Sequence, residues 1–330
     1  MVKYIVKRIL YSILILFVVS MLIYGLVRLM PNDYVDNKLQ SQISQGVIKE
    51  EDVQRTKELY GLADNSFKGI VKGYFKWLGN ALSGDLGTSF KYGEPVAKKI
   101  GESMWISFII AFLGYIFVYL IAIPLGIKSA VKQYSALDYT VTTLTMVGIS
   151  LPGFFLATIL IKVFAVELGW FPQQGLDDAT QFYEGFAKFG DEIYHCILPM
   201  ITLVLLSVGG TMRHTRTNTL EVLNADYIRT ARAKGLSEKS VVYKHVFRNT
   251  MIPMVTMMAG MLPSLFGGAM ILEQVFALPG IGKLAYDALS MGDIPFIMGY
   301  EMFLAILTVL GVLLSDIAYV IVDPRIKLDK

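Results

Sequence analysis

The sequence predicts an all-α polytopic membrane protein with six transmembrane helices, and three observations lead there. The 330 residues are 54% hydrophobic and only 17% charged, where a soluble domain usually carries about 25% charged residues. Six apolar stretches approach the roughly 20 residues a helix needs to cross a hydrocarbon core about 30 Å thick. Basic residues gather in alternate loops, as they do on the inner face of membrane proteins.

The first stretch runs from about Ile9 to Met30 and ends at Pro31. Lys3, Lys7 and Arg8 precede it, as in a signal peptide. It outlasts a signal core of about 7–15 residues, however, and no A-x-A-like site follows, so it reads as a retained helix. The second covers about Ile106 to Ile127, and the third about Val141 to Val166 with Pro152 and Gly153 inside it. The fourth, about Ile197 to Met212, is the shortest; the fifth covers about Met251 to Phe276 and the sixth about Pro295 to Val322. The predicted organisation is an N-terminal helix in 1–30, an outer segment 31–103, a five-helix core 104–322 with a loop at 213–250, and a tail 323–330.

Orientation follows from the short loops. Lys3, Lys7 and Arg8, then Lys128 and Lys132, then the segment 213–248 with eight Lys or Arg against three Asp or Glu, then Arg325, Lys327 and Lys330 all fall on one side of six spans. That side is predicted to be cytoplasmic, with both termini on it. Residues 31–103 on the other side hold ten basic and ten acidic residues. Trp170, Phe171, Tyr183 and Tyr286 in the other outer loops suit an interfacial belt.

Little in the chain points to catalysis or metal. Cys196 is the single cysteine, so no intrachain disulfide forms. His195 beside Cys196 lacks the further ligands a metal requires. Gly280-Ile281-Gly282-Lys283 resembles part of a phosphate-binding loop, but Ala277 and Leu284 stand where that signature needs Gly and Ser or Thr; it reads as a turn. No cofactor is expected in this chain.

The loop between the fourth and fifth spans reads as a short helix, a break and a second helix. Asn224 or Asp226 caps the first, Gly235 ends it and Ser237 caps the next, where Val241, Val242, His245 and Val246 form an apolar stripe. Small residues Ala231, Ala233 and Gly235 at the bend suit close docking into a groove on another protein. A basic hairpin lying on anionic headgroups is the competing reading, and the residues alone leave both open.

The string Asp226-Tyr227-Ile228-Arg229-Thr230-Ala231-Arg232-Ala233-Lys234-Gly235-Leu236 closely resembles the coupling loop of binding-protein-dependent ABC importer permeases. It is similar to the version in B-type subunits of the dipeptide, oligopeptide and nickel permeases. Relative to the general Glu-Ala-Ala-x-x-x-Gly form, Ala231 and Gly235 are kept, while Arg229 and Thr230 replace the leading pair. Gly84-Asp-Leu-Gly-Thr-Ser89, Gly148-Ile-Ser-Leu-Pro-Gly153, Leu168-Gly-Trp-Phe-Pro172, Glu273-Gln-Val-Phe-Ala-Leu-Pro-Gly-Ile-Gly282 and Asp323-Pro-Arg-Ile326 extend the resemblance over nearly the whole chain. Pro31-Asn-Asp-Tyr34 departs from the family's usual Pro-Gly-Asp-Pro, and about Gln181 to Glu192 resembles a longer outer loop.

The resemblance implies a type I ABC importer permease fold in a bacterial cell membrane. Its implied partners are a second permease subunit, two cytoplasmic ATPases and an extracytoplasmic substrate-binding protein, with peptide as substrate. Asp226, Tyr227, Arg229, Ala231, Ala233, Gly235, Leu236 and Ser237 would contact the ATPase. Candidate gate or pathway residues are Met254, Met258 and Met261 on a Met-rich fifth span, where ordinary apolar filling is the favoured alternative, with Glu273, which equally fits a helix-end carboxylate, and Asp316, an ionisable group at membrane depth. For Asp316 a bond to a neighbouring helix or to an inner-face Arg or Lys is an equal alternative. Nickel or another small ligand as cargo, a secondary transporter and a membrane enzyme remain as rival readings.

Overall fold

The computed structural model describes residues 2–28, 43–44, 49, 51, 66–178, 181, 183–267 and 269–322. The elements named among them are all helices. Four are long and apolar enough to cross a membrane, and two bent pairs pass the same test together. Pro31-Asn-Asp-Tyr34 and Asp323-Pro-Arg-Ile326 lie outside the described residues, as do Arg325, Lys327 and Lys330.

Helix α1 (Val2–Arg28) exposes apolar side chains round most of its circumference, Leu10, Leu14, Leu22 and Leu26 among them, the pattern of a helix solvated by lipid. Helix α2 (Phe67–Leu82) is started by Ser66, whose side chain accepts from the Gly69 amide; hydropathy did not foresee it. Helix α3 (Val96–Val131) has 36 residues and so runs about 54 Å, beyond both bilayer faces. It begins within the stretch assigned to the outer face.

The third span is a sharply bent pair. Helix α4 (Ala136–Ser150) and helix α5 (Gly153–Leu160, continuing as a π-helix over Ile161–Glu167) meet at 102°. Pro152 has no N–H to give and forces Leu151 into an extended conformation, which ends α4 there.

The fourth span, expected to be the shortest, belongs to the longest helix. Helix α6 (Gly185–Leu223) has 39 residues, because its polar, basic half continues past the bilayer where hydropathy stops registering it. Its start at Gly185 also turns much of the supposed outer loop 181–192 into helix. α6 packs along α3, and Gly126 allows it: a Cβ there would lie 2.8 Å from the Met212 carbonyl.

The chain then folds through helix α7 (Asp226–Ala233), a single turn Glu238–Ser240 and a π-helix Val241–Val246 into helix α8 (Phe247–Ala259). Helices α9 (Leu262–Phe266) and α10 (Met270–Val275) complete the fifth span, bent by 53° from the part before it. Helix α11 (Ile281–Met291) closes with Gly292 in the left-handed region, and helix α12 (Ile294–Val322) is the last span. The segment Gly280–Lys283 is therefore the start of α11 rather than an isolated turn.

Candidate functional site

The hairpin after α6 is built around a small apolar core. Ile228 and Ala231 of α7 are buried against Val241 and Val246, with Val222 and Leu223 beside them. Four apolar groups at this spacing close the two arms on each other. The cap is not the expected one: Ala225 holds the N-cap position without a side-chain bond, and the Asn224 amide instead donates back to the Leu220 carbonyl. Asp226 occupies the first helical position, where its charge suits the helix dipole, and it approaches Arg229 at 3.8 Å.

Gly235 ends α7 with φ +77°, and the Gly235 and Leu236 amides donate to the carbonyls of Arg232 and Ala231. No other group lies within 4 Å of where its Cβ would be, so the glycine serves the backbone turn. Ser237 caps the following turn by accepting from the Ser240 amide, as expected. Arg232 donates two hydrogen bonds to Glu238, at 2.7 and 3.1 Å, across the bend.

This geometry sorts the predicted loop residues. Asp226, Tyr227, Arg229, Ala233, Gly235, Leu236 and Ser237 are exposed, while Ala231 faces inward. Tyr227 and Leu236 remain 49% and 41% exposed despite their apolar bodies. Tyr243 and Phe247, which sequence reasoning did not single out, are exposed nearby.

A groove runs from the hairpin along α3. Its first part, about 330 Å³, is bounded by Lys128, Glu238, Val242 and Tyr243. Ile123, Pro124 and Phe247 lead into a larger part of about 500 Å³, walled by Tyr115, Tyr119, Met258 and Met261. Tyr119 donates its hydroxyl to the Met261 sulfur. Met254 is different: it is fully buried, its sulfur accepting from Thr215 and Asn218 of α6.

Glu273 lies at the opposite face, 2% exposed. Its carboxylate accepts from the Ser107 hydroxyl at 2.6 Å and the Lys283 amide at 2.9 Å. Ser107 in turn accepts from the Ile281 amide. The carboxylate thus caps the N-terminus of α11 from a neighbouring helix. A Cβ at Gly280 would run into it, which explains the glycine. A second buried carboxylate does similar work nearby: Asp293 accepts from Ser89 at 2.5 Å and from the Lys91 amide. Burial pushes the Asp293 carboxyl upward, and those donors oppose the rise.

Asp316 pairs with Arg8 of α1, Nη1 to Oδ2 at 3.2 Å, as a charge contact without hydrogen-bond alignment. A contact with a neighbouring helix, one of the two readings of Asp316, is thus present. Lys162 is well exposed and 3.9 Å from Glu167, in keeping with a snorkelling side chain.

Sequence reasoning missed Asp138. It is 3% exposed and takes two 2.8 Å hydrogen bonds from Arg216, one from the Tyr134 amide and one from Ser129. The cluster joins α3, α4 and α6 on the hairpin face. Ser135-x-x-Asp138 is a legible helix start, and Ser135 does cap α4; nothing local marks Arg216 as the partner. His195 contacts the Asp191 carbonyl of its own helix. Among the described residues no group of three His, Cys, Asp or Glu is placed to hold a metal.

Comparisons with known proteins bear on this arrangement. Residues 122–328 match the family model "Binding-protein-dependent transport system inner membrane component". The chain is 40% identical over 328 residues to the oligopeptide transport system permease protein AppB of Bacillus subtilis, covering 99% of this chain and 100% of that one. It is 34% identical over 325 residues to a putative peptide transport system permease protein of Brucella abortus, covering 98% and 99%. It is 33% identical over 341 residues to the dipeptide transport system permease protein DppB of Alkalihalophilus pseudofirmus, covering 99% and 100%. The fold is similar to a chain of the MetNI methionine ABC transporter, solved in inward-facing conformations. That match has TM-score 0.51 and 19% identity, over 68% of this chain and 96% of the other.

Proposed function

Because this chain belongs to the family of binding-protein-dependent transport system inner membrane components, we propose that it is a permease subunit of an ATP-driven importer of oligopeptides or dipeptides. The substrate class rests on the relatives named for peptide transport, which match this chain along nearly its whole length. The observation that carries the mechanism is the closed hairpin beyond α6. Its inward residues are used up in its own core, and its outward residues, Tyr227 and Leu236 among them, are exposed.

Such a hairpin acts as a rigid handle. A cytoplasmic ATPase that grips Tyr227, Arg229 and Leu236 moves α6 and α8 together, since the hairpin joins both. The Asp138–Arg216 contact carries the same movement to α3 and α4. The groove beside α3 then faces a second permease subunit, and Met258 and Met261 border the shared path; thioether side chains adapt to varied cargo. Two ATPases bind the ATP and Mg, and an extracytoplasmic binding protein delivers the peptide to the opposite face. In this arrangement the hairpin face and both termini are cytoplasmic, in agreement with the basic residues there.

The test is growth of a host strain lacking this gene and auxotrophic for one amino acid. Peptides of defined length serve as the only source of that residue. Failure on peptides but not on the free amino acid, restored by the intact gene, is the expected result. Unimpaired growth on every peptide, with no second peptide permease present, would overturn peptide as the cargo.

A further inference from the structure

Helix α2 buries one face against the described residues and exposes two further arcs. Gly69, Gly73, Tyr74 and Trp77 are buried. At about 100° per residue, Phe67, Phe75 and Leu82 fall on a second arc, exposed by 84%, 57% and 82%. Lys68, Lys72 and Lys76 recur every four residues as an exposed stripe beside that arc. An amphipathic helix with large apolar groups on one exposed arc and lysines along its edge has the composition of a membrane-surface helix.

Its position agrees. The Tyr74 hydroxyl shares a 2.8 Å hydrogen bond with Ser20 of α1. The Tyr74 and Trp77 rings pack 5.7 and 6.1 Å from Tyr24. Tyr24 lies within one turn of Leu26, where the apolar run of α1 ends. The same cluster includes Ile294 and Met298, the first turns of α12. α2 therefore sits where two spans leave the hydrocarbon, on the face opposite the hairpin.

We propose that α2 is a lipid-binding helix in the headgroup layer of that leaflet, with Phe67, Phe75 and Leu82 at the acyl boundary and Lys68 and Lys72 on the phosphates of anionic phospholipid. Lipid fits better than a protein partner because the two exposed arcs want different surroundings. A bilayer edge supplies both at once, apolar on one side and anionic on the other. Each lysine near an anionic surface strengthens association about fivefold. The placement holds whichever face is cytoplasmic, so it stands apart from the transport function.

The full chain carrying Cys196→Ala, with a spin label at Phe75→Cys or Lys72→Cys, is placed in phosphatidylcholine vesicles with or without phosphatidylglycerol. The label at 75 should collide with oxygen more than with a water-soluble paramagnetic chelate in both lipids. The label at 72 should favour the chelate and slow when phosphatidylglycerol is added. Adding Lys68→Gln should remove most of that slowing. A label at 75 that favours the chelate would place this face in water, and shielding from both reagents would place it under protein. Either result, or a label at 72 indifferent to phosphatidylglycerol, overturns the proposal.

Discussion

The end of the membrane region opposite the hairpin and the hairpin itself are held together by different means. On the face opposite the hairpin, two carboxylates are buried almost completely: Glu273 under the start of α11, and Asp293 under the loop containing Ser89 and Lys91. Within the hairpin itself, beyond the Asp138–Arg216 cluster at its base, a small apolar core and two exposed ion pairs, Arg232–Glu238 and Asp226–Arg229, close the fold. The first kind of contact is costly to break, since a lost partner leaves donors buried without water. The second is cheap to perturb and leaves the outward surface available. The contrast fits a molecule that keeps one face fixed and offers the other to be gripped.

Breaking the fixed face should have the largest effect on stability. Glu273→Ala strands the Ser107 hydroxyl and the Lys283 amide and leaves a cavity, at an expected cost of about 3–5 kcal/mol. Thermal denaturation of the purified chain should show a large drop in midpoint. Glu273→Gln, which keeps the shape and one acceptor oxygen, should recover part of it. An unchanged midpoint in Glu273→Ala would mean that the cap on α11 contributes nothing.

The Asp138 cluster comes next, because Arg216 is a quarter exposed while its partner is buried. Arg216→Gln should cost about 2–3 kcal/mol, leaving a buried carboxylate short of its counter-ion. Replacing both residues by Leu should be milder than the single change, as removal of a whole buried pair often is. A double variant worse than either single one would refute the pairing as the source of the cost.

How much of this was legible follows from the range of each signal. The spans of α1, α3 and α12 are long unbroken apolar runs, so the all-α membrane fold could be read directly. Pro152 announced an interruption in the third span, but not a 102° bend, which packing determines. α2 escaped because three lysines interrupt its apolar run and its apolar residues are split between two arcs. Its aromatic partners on α1 lie some fifty residues earlier, as the Tyr74–Ser20 separation of 54 shows. The hairpin was legible because Gly235, Ser237 and the apolar stripe act within a few residues of one another. The burial of Ala231 was not legible for the opposite reason: small size suits a partner's surface and a tight core equally. The Glu273 motif could be seen as a pattern, yet its meaning needs Ser107, which comes from another helix. Asp138 and Arg216, 78 residues apart, had no local signature joining them.

Asp316 and Arg8 occupy the middle of the range. Their side chains are 23% and 40% exposed, and ionic contacts of this kind are worth about 1 kcal/mol. Asp316→Asn should lower the midpoint slightly and reduce uptake or assembly. A double-mutant cycle with Arg8→Gln should give a coupling energy of that size. Strict additivity, together with wild-type uptake, would show that the contact ties α1 to α12 without consequence.

The smallest stability effects belong to the hairpin, where the contrast becomes sharpest. Arg232→Gln removes a surface ion pair and should cost about 0.5 kcal/mol or less. Leu236→Asp, at an exposed position, should leave the midpoint unchanged as well. The two should nevertheless differ in function. Leu236→Asp puts a charge on the surface assigned to the ATPase, so co-purification of the ATPase subunits should fall severalfold. Arg232→Gln, which alters only the bend, should retain them. If Leu236→Asp keeps its ATPases and transports normally, this face of the hairpin is not the one that is gripped. If both variants lose them equally, the shape of the bend matters more than the side chains exposed on it.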